Sequence, residues 1–148
     1  MAELAVLDGR AERLARGLGG EQLNWSPGPG VWSVGQCLDH LRAANVVYLP
    51  AIARALEGAA EGPVREVRLG WFSSWFIRNY VAARPVGRGK RAPAKIRPAG
   101  EVGLGVLDEL LRGNQVAREL VVRASAFDVN RIRFRNPFVP FLRFTVGA

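Results

Sequence analysis

The sequence predicts an all-α fold, because three long segments each carry apolar residues at helical spacing. These segments cover residues 3–17, 34–57 and 101–123, and apolar positions recur in each at steps of three and four residues. Only residues 129–135, VNRIRFR, alternate apolar and polar side chains as a strand does, and no second strand is evident to pair with them. We therefore predict three complete helices and read residues 129–135 as an extended crossover.

Length and composition are those of one folded domain covering residues 1–148. Apolar residues make up 49% of the chain and charged residues 23%, which is the usual globular balance. The single cysteine, Cys37, excludes an internal disulfide and is typical of a reducing compartment. The first residues lack the apolar core of a signal peptide, and no apolar run approaches the roughly 18 residues of a membrane span. We expect a cytoplasmic protein.

The first helix and the loop after it are marked by apolar spacing and by glycine. Its predicted inward residues are Leu4, Leu7, Ala11, Leu14 and Leu18. Glycines at positions 17, 19 and 20 end the helix. The SPGPG run at 26–30 excludes regular structure. Trp25 and Trp32 flank it, and we expect both indoles to hold the loop against the end of the helices.

Ser33 and Gln36 form a capping-box pattern that predicts the start of the second helix. This helix should run to about Glu57 and bend at Pro50, whose ring removes one backbone hydrogen bond. Two less usual residues fall on its apolar stripe. Cys37 is expected to be a small buried thiol, and Asn45, if buried, must find hydrogen-bond partners and is expected to cross-link helices. Asp39 is expected to be exposed.

Residues 70–83, GWFSSWFIRNYVAA, place aromatic side chains on one side of a short helix. Two interpretations compete: the aromatic face covers the core, which this spacing favours, or it lies on a membrane surface. A third long helix follows over 101–123. Asn136 and Pro137 then resemble a helix start, and apolar residues from Phe138 to Val146 predict a fourth helix that is incomplete at Ala148.

The basic excess has more than one explanation. There are 21 basic and 13 acidic residues, for a net charge of +8. Residues 78–98 contain seven basic residues and no acidic one, namely Arg78, Arg84, Arg88, Lys90, Arg91, Lys95 and Arg97. Such a cluster can bind phosphates, but an arginine-rich composition with Pro and Gly nearby favours a solvated loop. We therefore expect neither nucleic acid nor a membrane as the partner.

Three runs, WSPGPGVWSVGQCLDHL, GWFSSWFIRNY and FRNPFVPFLRFTVG, together resemble the DinB-like superfamily. The resemblance covers nearly the whole chain. It implies an up-and-down four-helix bundle that holds a divalent metal (Zn, Ni or Fe), usually on three histidines. The first of these belongs to an H-L pair that matches His40 and Leu41. The other two, in an H-x-x-x-H pattern on the fourth helix, do not occur here, so we expect a chain truncated before that motif.

The resemblance also implies a metal-dependent hydrolase or thiol-dependent transferase, with His40 as the metal ligand. Because a catalytic zinc site takes about three protein ligands and His40 is the only histidine, we expect a deficient metal site that binds metal weakly or not at all. No further catalytic residue can be assigned. Two alternatives stay open. One is a non-catalytic helical module that forms a homodimer through the incomplete fourth-helix face, and the other is a binder of anionic membranes or nucleic acid through residues 78–98.

Overall fold

The computed structural model describes residues 2–60, 62, 65–81, 92–138 and 141–147. Helices account for most of these residues, which confirms the all-α class. In chain order the helices are α1 (Ala2–Ala15), α2 (Gly20–Asn24), α3 (Val34–Glu57), α4 (Trp71–Phe76) and α5 (Val106–Ala124). Two short turns accompany them, a π-helical turn at Ile77–Val81 and a 3-10 turn at Ala94–Ile96, and two strands follow, β1 (Arg133–Arg135) and β2 (Arg143–Thr145). No helix among the described residues is long and apolar enough to cross a membrane.

The predicted helix ends are set by local chemistry. The Ser33 hydroxyl accepts from the Gln36 N–H at 3.1 Å, and the Ser33 N–H donates to Gln36 Oε1 at 3.1 Å, which confirms the capping box. From there α3 continues past Pro50 to Glu57, as predicted. Gly17 follows α1 with a φ of +92°, the left-handed conformation that favours glycine at a helix end. The sequence missed α2, and it placed the start of α5 five residues too early.

The chain divides into two compact units. The first unit contains residues 1–49 and 94–119, and the second unit contains residues 50–93 and 120–148. The core of the first unit consists of Ala15, Leu23, Leu38, Val102, Val106, Leu107 and Leu110. Ala11 and Leu18 pack against it, so the core-facing side of α1 centres on Ala11 and Ala15, and Leu18 adds to it from beyond the helix end. Leu7 and Leu14 lie at the edge of that face and are exposed, so their predicted burial is wrong.

The last segment of the second unit is a β-hairpin. Its two strands are antiparallel, with Arg133 opposite Thr145, Phe134 opposite Phe144 and Arg135 opposite Arg143. The Phe134 and Phe144 ring centroids lie 6.4 Å apart. Two predictions are therefore wrong at this point: residues 129–135 do have a partner strand, and the chain after Asn136 is not an incomplete fourth helix.

The physical reason lies in Asn136 and in the two prolines that follow it. Asn136 Oδ1 accepts from the Phe138 N–H at 2.8 Å, the same bond that an N-cap residue makes, but here it begins a turn. The Asn136 N–H donates to the Leu142 carbonyl at 2.8 Å and closes the hairpin. A helix that began at Pro137 would have Pro140 in its interior, where proline removes a backbone hydrogen bond. The strand pairing avoids that loss.

Candidate functional site

His40 is half-buried on the second turn of α3, in the first unit. Its Nδ1 lies 2.7 Å from the carbonyl oxygen of Ile96, at the end of the 3-10 turn. A carbonyl can only accept, so Nδ1 carries the proton and donates it to Ile96. In the neutral imidazole the lone pair is then on Nε2, the nitrogen left for a ligand. Histidines that bind metals usually donate their other N–H in this way.

Trp32 lies beside the imidazole. The two ring centroids are 5.0 Å apart and the planes are tilted by 48°, so the indole forms one wall of the histidine's surroundings. Trp32 was predicted to hold the loop at 26–30 against the end of the helices, and its contact with His40 on α3 agrees with that prediction. Trp25 does not share this role, because 69% of its surface is exposed.

The chain from Ile96 to Val102 is tied to α2 and α3 by polar side chains. Asp39 Oδ2 accepts from the Ala99 N–H at 2.9 Å, and Gln36 Nε2 donates to the Ala99 carbonyl at 3.1 Å. Asn24 pairs with the backbone of Val102 in both directions, accepting from its N–H at 2.8 Å and donating to its carbonyl at 2.9 Å. These bonds hold the segment that presents the Ile96 carbonyl to His40.

The prediction that Asp39 is exposed is wrong. It is buried, and Arg42 Nη2 lies 2.7 Å from its Oδ1. A buried carboxylate needs such a partner, since removing it from water is otherwise costly. The N-terminal part of α3 packs against the 96–102 segment as well as against the core, and for this reason the residue next to His40 is covered. Both carboxylate oxygens of Asp39 are engaged within the fold.

Cys37 was predicted to be a buried packing residue, and this is also wrong. The residue is exposed, because the neighbouring Leu38 occupies the core position on this turn of α3. Partial burial of the sulfur nevertheless raises the pKa of the Cys37 thiol above its ordinary value. The thiol therefore stays protonated at neutral pH and is not an activated nucleophile.

Asn45 confirms the predicted cross-link between helices. Its Nδ2 donates to Asn114 Oδ1 on α5 at 2.8 Å, and Asn114 Nδ2 donates to Asp8 Oδ1 on α1 at 2.6 Å. Arg118 pairs with the other oxygen of Asp8. Sequence reasoning missed Asp8 and Asn114, although Asn114 continues the spacing of the apolar face of α5 and could have been recognised as a polar residue on it. This network stabilises the fold and touches no part of the His40 site.

The described residues do not fit a complete divalent metal centre. No group of three or more His, Cys, Asp or Glu side chains in this part of the chain is placed to hold an ion. His40 offers one nitrogen, and Asp39 is committed to Arg42 and Ala99. A cavity of about 190 Å³ in the first unit is lined mainly by apolar side chains such as Leu18, and His40 is not among its lining residues.

The structure describes part of the basic cluster at 78–98. Arg84, Arg88, Lys90 and Arg91 lie outside the described residues, while Arg78, Lys95 and Arg97 are exposed. The aromatic face predicted just before it does not simply cover a core, since 81% of the surface of Trp71 and 43% of that of Trp75 is exposed.

Comparison with known proteins identifies the family. A family model described as the DinB superfamily matches residues 4–147. No curated protein matches the chain, and no solved structure does. The matched range includes His40 and the carbonyl that orients it, together with the β-hairpin at the C-terminal side. The chain belongs to the DinB superfamily.

Proposed function

We propose that this DinB-superfamily protein derives from divalent-metal-dependent hydrolases or thiol-dependent transferases, and that His40 is the single metal ligand that its described residues supply. The observation that carries this proposal is the hydrogen bond from His40 Nδ1 to the Ile96 carbonyl. It fixes the tautomer and leaves Nε2 available, which is the arrangement of a histidine ligand held by the backbone. Membership of the superfamily supports the same role.

One nitrogen makes a weak site. Catalytic zinc centres use about three protein ligands and structural ones about four, and His40 belongs to no group of three or more such ligands among the described residues. The 148-residue chain should therefore bind Zn²⁺ or Ni²⁺ only weakly, and a working centre needs donors from outside the described residues.

Calorimetric titration with Zn²⁺ and Ni²⁺ tests this proposal when wild type is compared with His40→Asn. The asparagine amide takes the place of Nδ1–H and can still donate to Ile96, but it has no counterpart of Nε2. We expect weak binding to the wild type, none to His40→Asn, and similar thermal unfolding for the two proteins. Tight one-to-one binding to the wild type would refute the deficient site, and equal binding to both would refute His40 as the ligand.

His40→Gln provides the matched control. Its amide group sits near the place of Nε2 and cannot reach Ile96 as the asparagine can. This variant should be less stable than His40→Asn by about 1 kcal/mol, the net value of one hydrogen bond. Equal stability of the two variants would show that the Ile96 bond does not hold the segment.

A second candidate function is a non-catalytic helical module that forms a homodimer. The incomplete fourth-helix face that suggested it does not exist, since that segment is a hairpin. The specific observation in its favour is on α1, where Leu7 and Leu14 lie seven residues apart on one face and are 56% and 72% exposed. An exposed leucine pair at this spacing suits contact with another helix.

Sedimentation velocity at micromolar concentration distinguishes this candidate from the first. The double variant Leu7→Ser with Leu14→Ser should dissociate the dimer. The control is Val121→Ser with Val122→Ser, which changes two exposed apolar residues on α5 and should leave the dimer intact. A wild-type protein that sediments only as a monomer removes this function without affecting the metal-ligand proposal.

A further inference from the structure

The two units differ sharply in charge. The second unit contains 13 basic residues and 4 acidic ones, whereas the first contains 8 basic and 9 acidic residues. The net charge of +8 therefore arises entirely in the second unit. A surface with an excess of positive charge attracts negatively charged partners. We therefore expect an anionic partner, if the protein has one, to bind the second unit.

Three arginines of the hairpin, Arg133, Arg135 and Arg143, lie on one face of the two-stranded sheet. Residues two apart on a strand share a face, and Arg143 is directly opposite Arg135. All three are exposed, while the other face carries Phe134 and the buried Phe144. We call Arg133, Arg135 and Arg143 the arginine face.

The arginine face is not neutralised by its own fold. Within the described residues none of its three guanidinium groups is paired with a carboxylate. Arg135 and Arg143 are directly opposite each other, and like charges in that arrangement destabilise a strand pair. Asp128, a buried carboxylate of this unit, pairs instead with Arg65 at 3.6 Å and accepts from the Asn130 N–H at 3.2 Å. An external anion would relieve the repulsion between Arg135 and Arg143.

Large apolar side chains are exposed around the same hairpin. Phe141, two residues before Arg143, is 84% exposed. The Asn130 side chain, just before β1, accepts from the Arg68 N–H at 2.7 Å and donates to the Glu66 carbonyl at 2.9 Å. These bonds hold the segment that leads to Leu69 and Trp71, which are 48% and 81% exposed. Glu66 is the acidic residue on this segment and is itself exposed.

We propose that the arginine face together with Phe141 is a docking surface for a bilayer that contains anionic phospholipids. Guanidinium groups bind lipid phosphates in bidentate fashion, and an aromatic side chain beside them is buried at the level of the headgroups. A nucleic acid would satisfy the arginines equally well. Against a duplex, however, Phe141 would gain no apolar surroundings, and this difference favours the bilayer over a double-stranded nucleic acid.

The expected effects follow from the number of groups involved. Each arginine near an anionic surface strengthens binding about fivefold, so removing the three charges of the arginine face should weaken vesicle binding on the order of 100-fold. Removing the phenyl ring of Phe141 should weaken it by about tenfold, from the loss of its apolar area.

Vesicle sedimentation tests the charge contribution. Wild type and the triple variant Arg133→Gln, Arg135→Gln and Arg143→Gln are mixed with phosphatidylcholine vesicles that contain or lack phosphatidylglycerol. The control triple variant is Arg10→Gln, Arg13→Gln and Arg112→Gln, which removes the same charge from exposed positions of the first unit. We expect binding only with phosphatidylglycerol, loss in the arginine-face variant, retention in the control, and weaker binding as salt rises from about 50 to about 500 mM.

The apolar contribution has its own pair of variants. Phe141→Ser should weaken binding to the same vesicles, whereas Trp25→Ser, which removes an aromatic residue that is 69% exposed in the first unit, should not. Circular dichroism must show the wild-type helix content and melting for every variant compared, and because all the altered side chains are exposed we expect that it will.

Three results would overturn the proposal. One is no binding to phosphatidylglycerol vesicles at low salt, and another is equal loss in the two triple variants. The third is binding of a labelled duplex DNA or single-stranded RNA that depends on the arginine face in the absence of vesicle binding, since this would assign the surface to nucleic acid.

Discussion

Adding one methyl group at Gly113 on α5 should lower the stability of the protein and so test the close approach of α3 and α5. A Cβ built there would lie 2.8 Å from Asn45 Nδ2 and 3.2 Å from Asn45 Cβ, both inside ordinary van der Waals distance. Asn45 cannot swing away freely, because its amide donates to Asn114 at 2.8 Å. Gly113→Ala must therefore crowd α3 against α5 and displace the Asn45 amide from that hydrogen bond.

The magnitude follows from three contributions to the free energy of unfolding. Alanine in place of glycine within a helix normally adds about 1 kcal/mol of stability. Overpacking between the helices costs about 1–3 kcal/mol, and loss of the Asn45–Asn114 bond costs about 1 kcal/mol more. We expect a net destabilisation of about 2 kcal/mol, as the unfavourable contributions exceed the gain in helix propensity.

Gly9→Ala on α1 is the matched control for this substitution. A Cβ at Gly9 would have within reach only the Arg13 guanidinium, at 3.4 Å, which is the end of a long flexible side chain. Gly9→Ala should therefore stabilise the protein by about 0.5–1 kcal/mol through helix propensity alone. Urea unfolding followed by circular dichroism measures both variants.

Coupling to Asn45 provides the decisive comparison. In an Asn45→Ala background the clashing amide is gone, so Gly113→Ala should cost at least 1 kcal/mol less than in wild type, by the logic of a double-mutant cycle. If Gly113→Ala is as stable as Gly9→Ala, or if its cost is unchanged in the Asn45→Ala background, the close approach of the two helices at this point is refuted.

Three other predictions concern neighbouring residues of the first unit. Gly35→Ala should lower stability by about 1–3 kcal/mol in urea unfolding, because its Cβ would meet the backbone carbonyl of Leu23 at 3.0 Å; wild-type stability would contradict the packing of α2 on α3. Asp39→Asn should cost about 1–2 kcal/mol, reduced from the full value of a buried pair because Arg42 is partly exposed; an unchanged unfolding midpoint would contradict it. Cys37 should react with iodoacetamide more slowly than free cysteine at neutral pH and accelerate as the pH rises through its raised pKa; a rate equal to that of free cysteine would contradict the raised pKa.

The features that could be predicted from the sequence are those that depend on residues close together in the chain. The capping box joins Ser33 to Gln36 across three positions, and Gly17 ends α1 through its own backbone conformation. Such signals need no tertiary information, and they located the start of α3 and the end of α1. Asn45 was also interpreted correctly, because a polar residue on an apolar stripe must find a partner wherever the stripe is buried.

The failures arise from contacts between residues far apart in the chain. Asp39 is buried by Ala99, which lies 60 positions later, and no local pattern marks that pairing. The segment Arg133–Arg135 is a strand because it pairs with Arg143–Thr145, and the sequence alone did not show that pairing. Asn136, between the two strands, was predicted to start a helix and instead starts a turn. The same side-chain hydrogen bond to a following N–H begins either structure, so the local sequence does not distinguish them.

The two ring nitrogens of His40 have different roles, one within the fold and the other in the proposed ligation of a metal. Nδ1 holds the 96–102 segment through Ile96, a contact within the fold that contributes whether or not a metal is bound. Nε2 can take part in a catalytic metal centre only together with further ligands, and no group of three or more ligand side chains is formed by the described residues. The contact through Nδ1 therefore favours a hydrogen-bond donor at this position independently of any metal. Asparagine preserves that contact and glutamine does not, so the stability of His40→Asn relative to His40→Gln measures the contribution of the Nδ1 hydrogen bond to the fold. The metal titration of His40→Asn measures the contribution of Nε2 to metal binding.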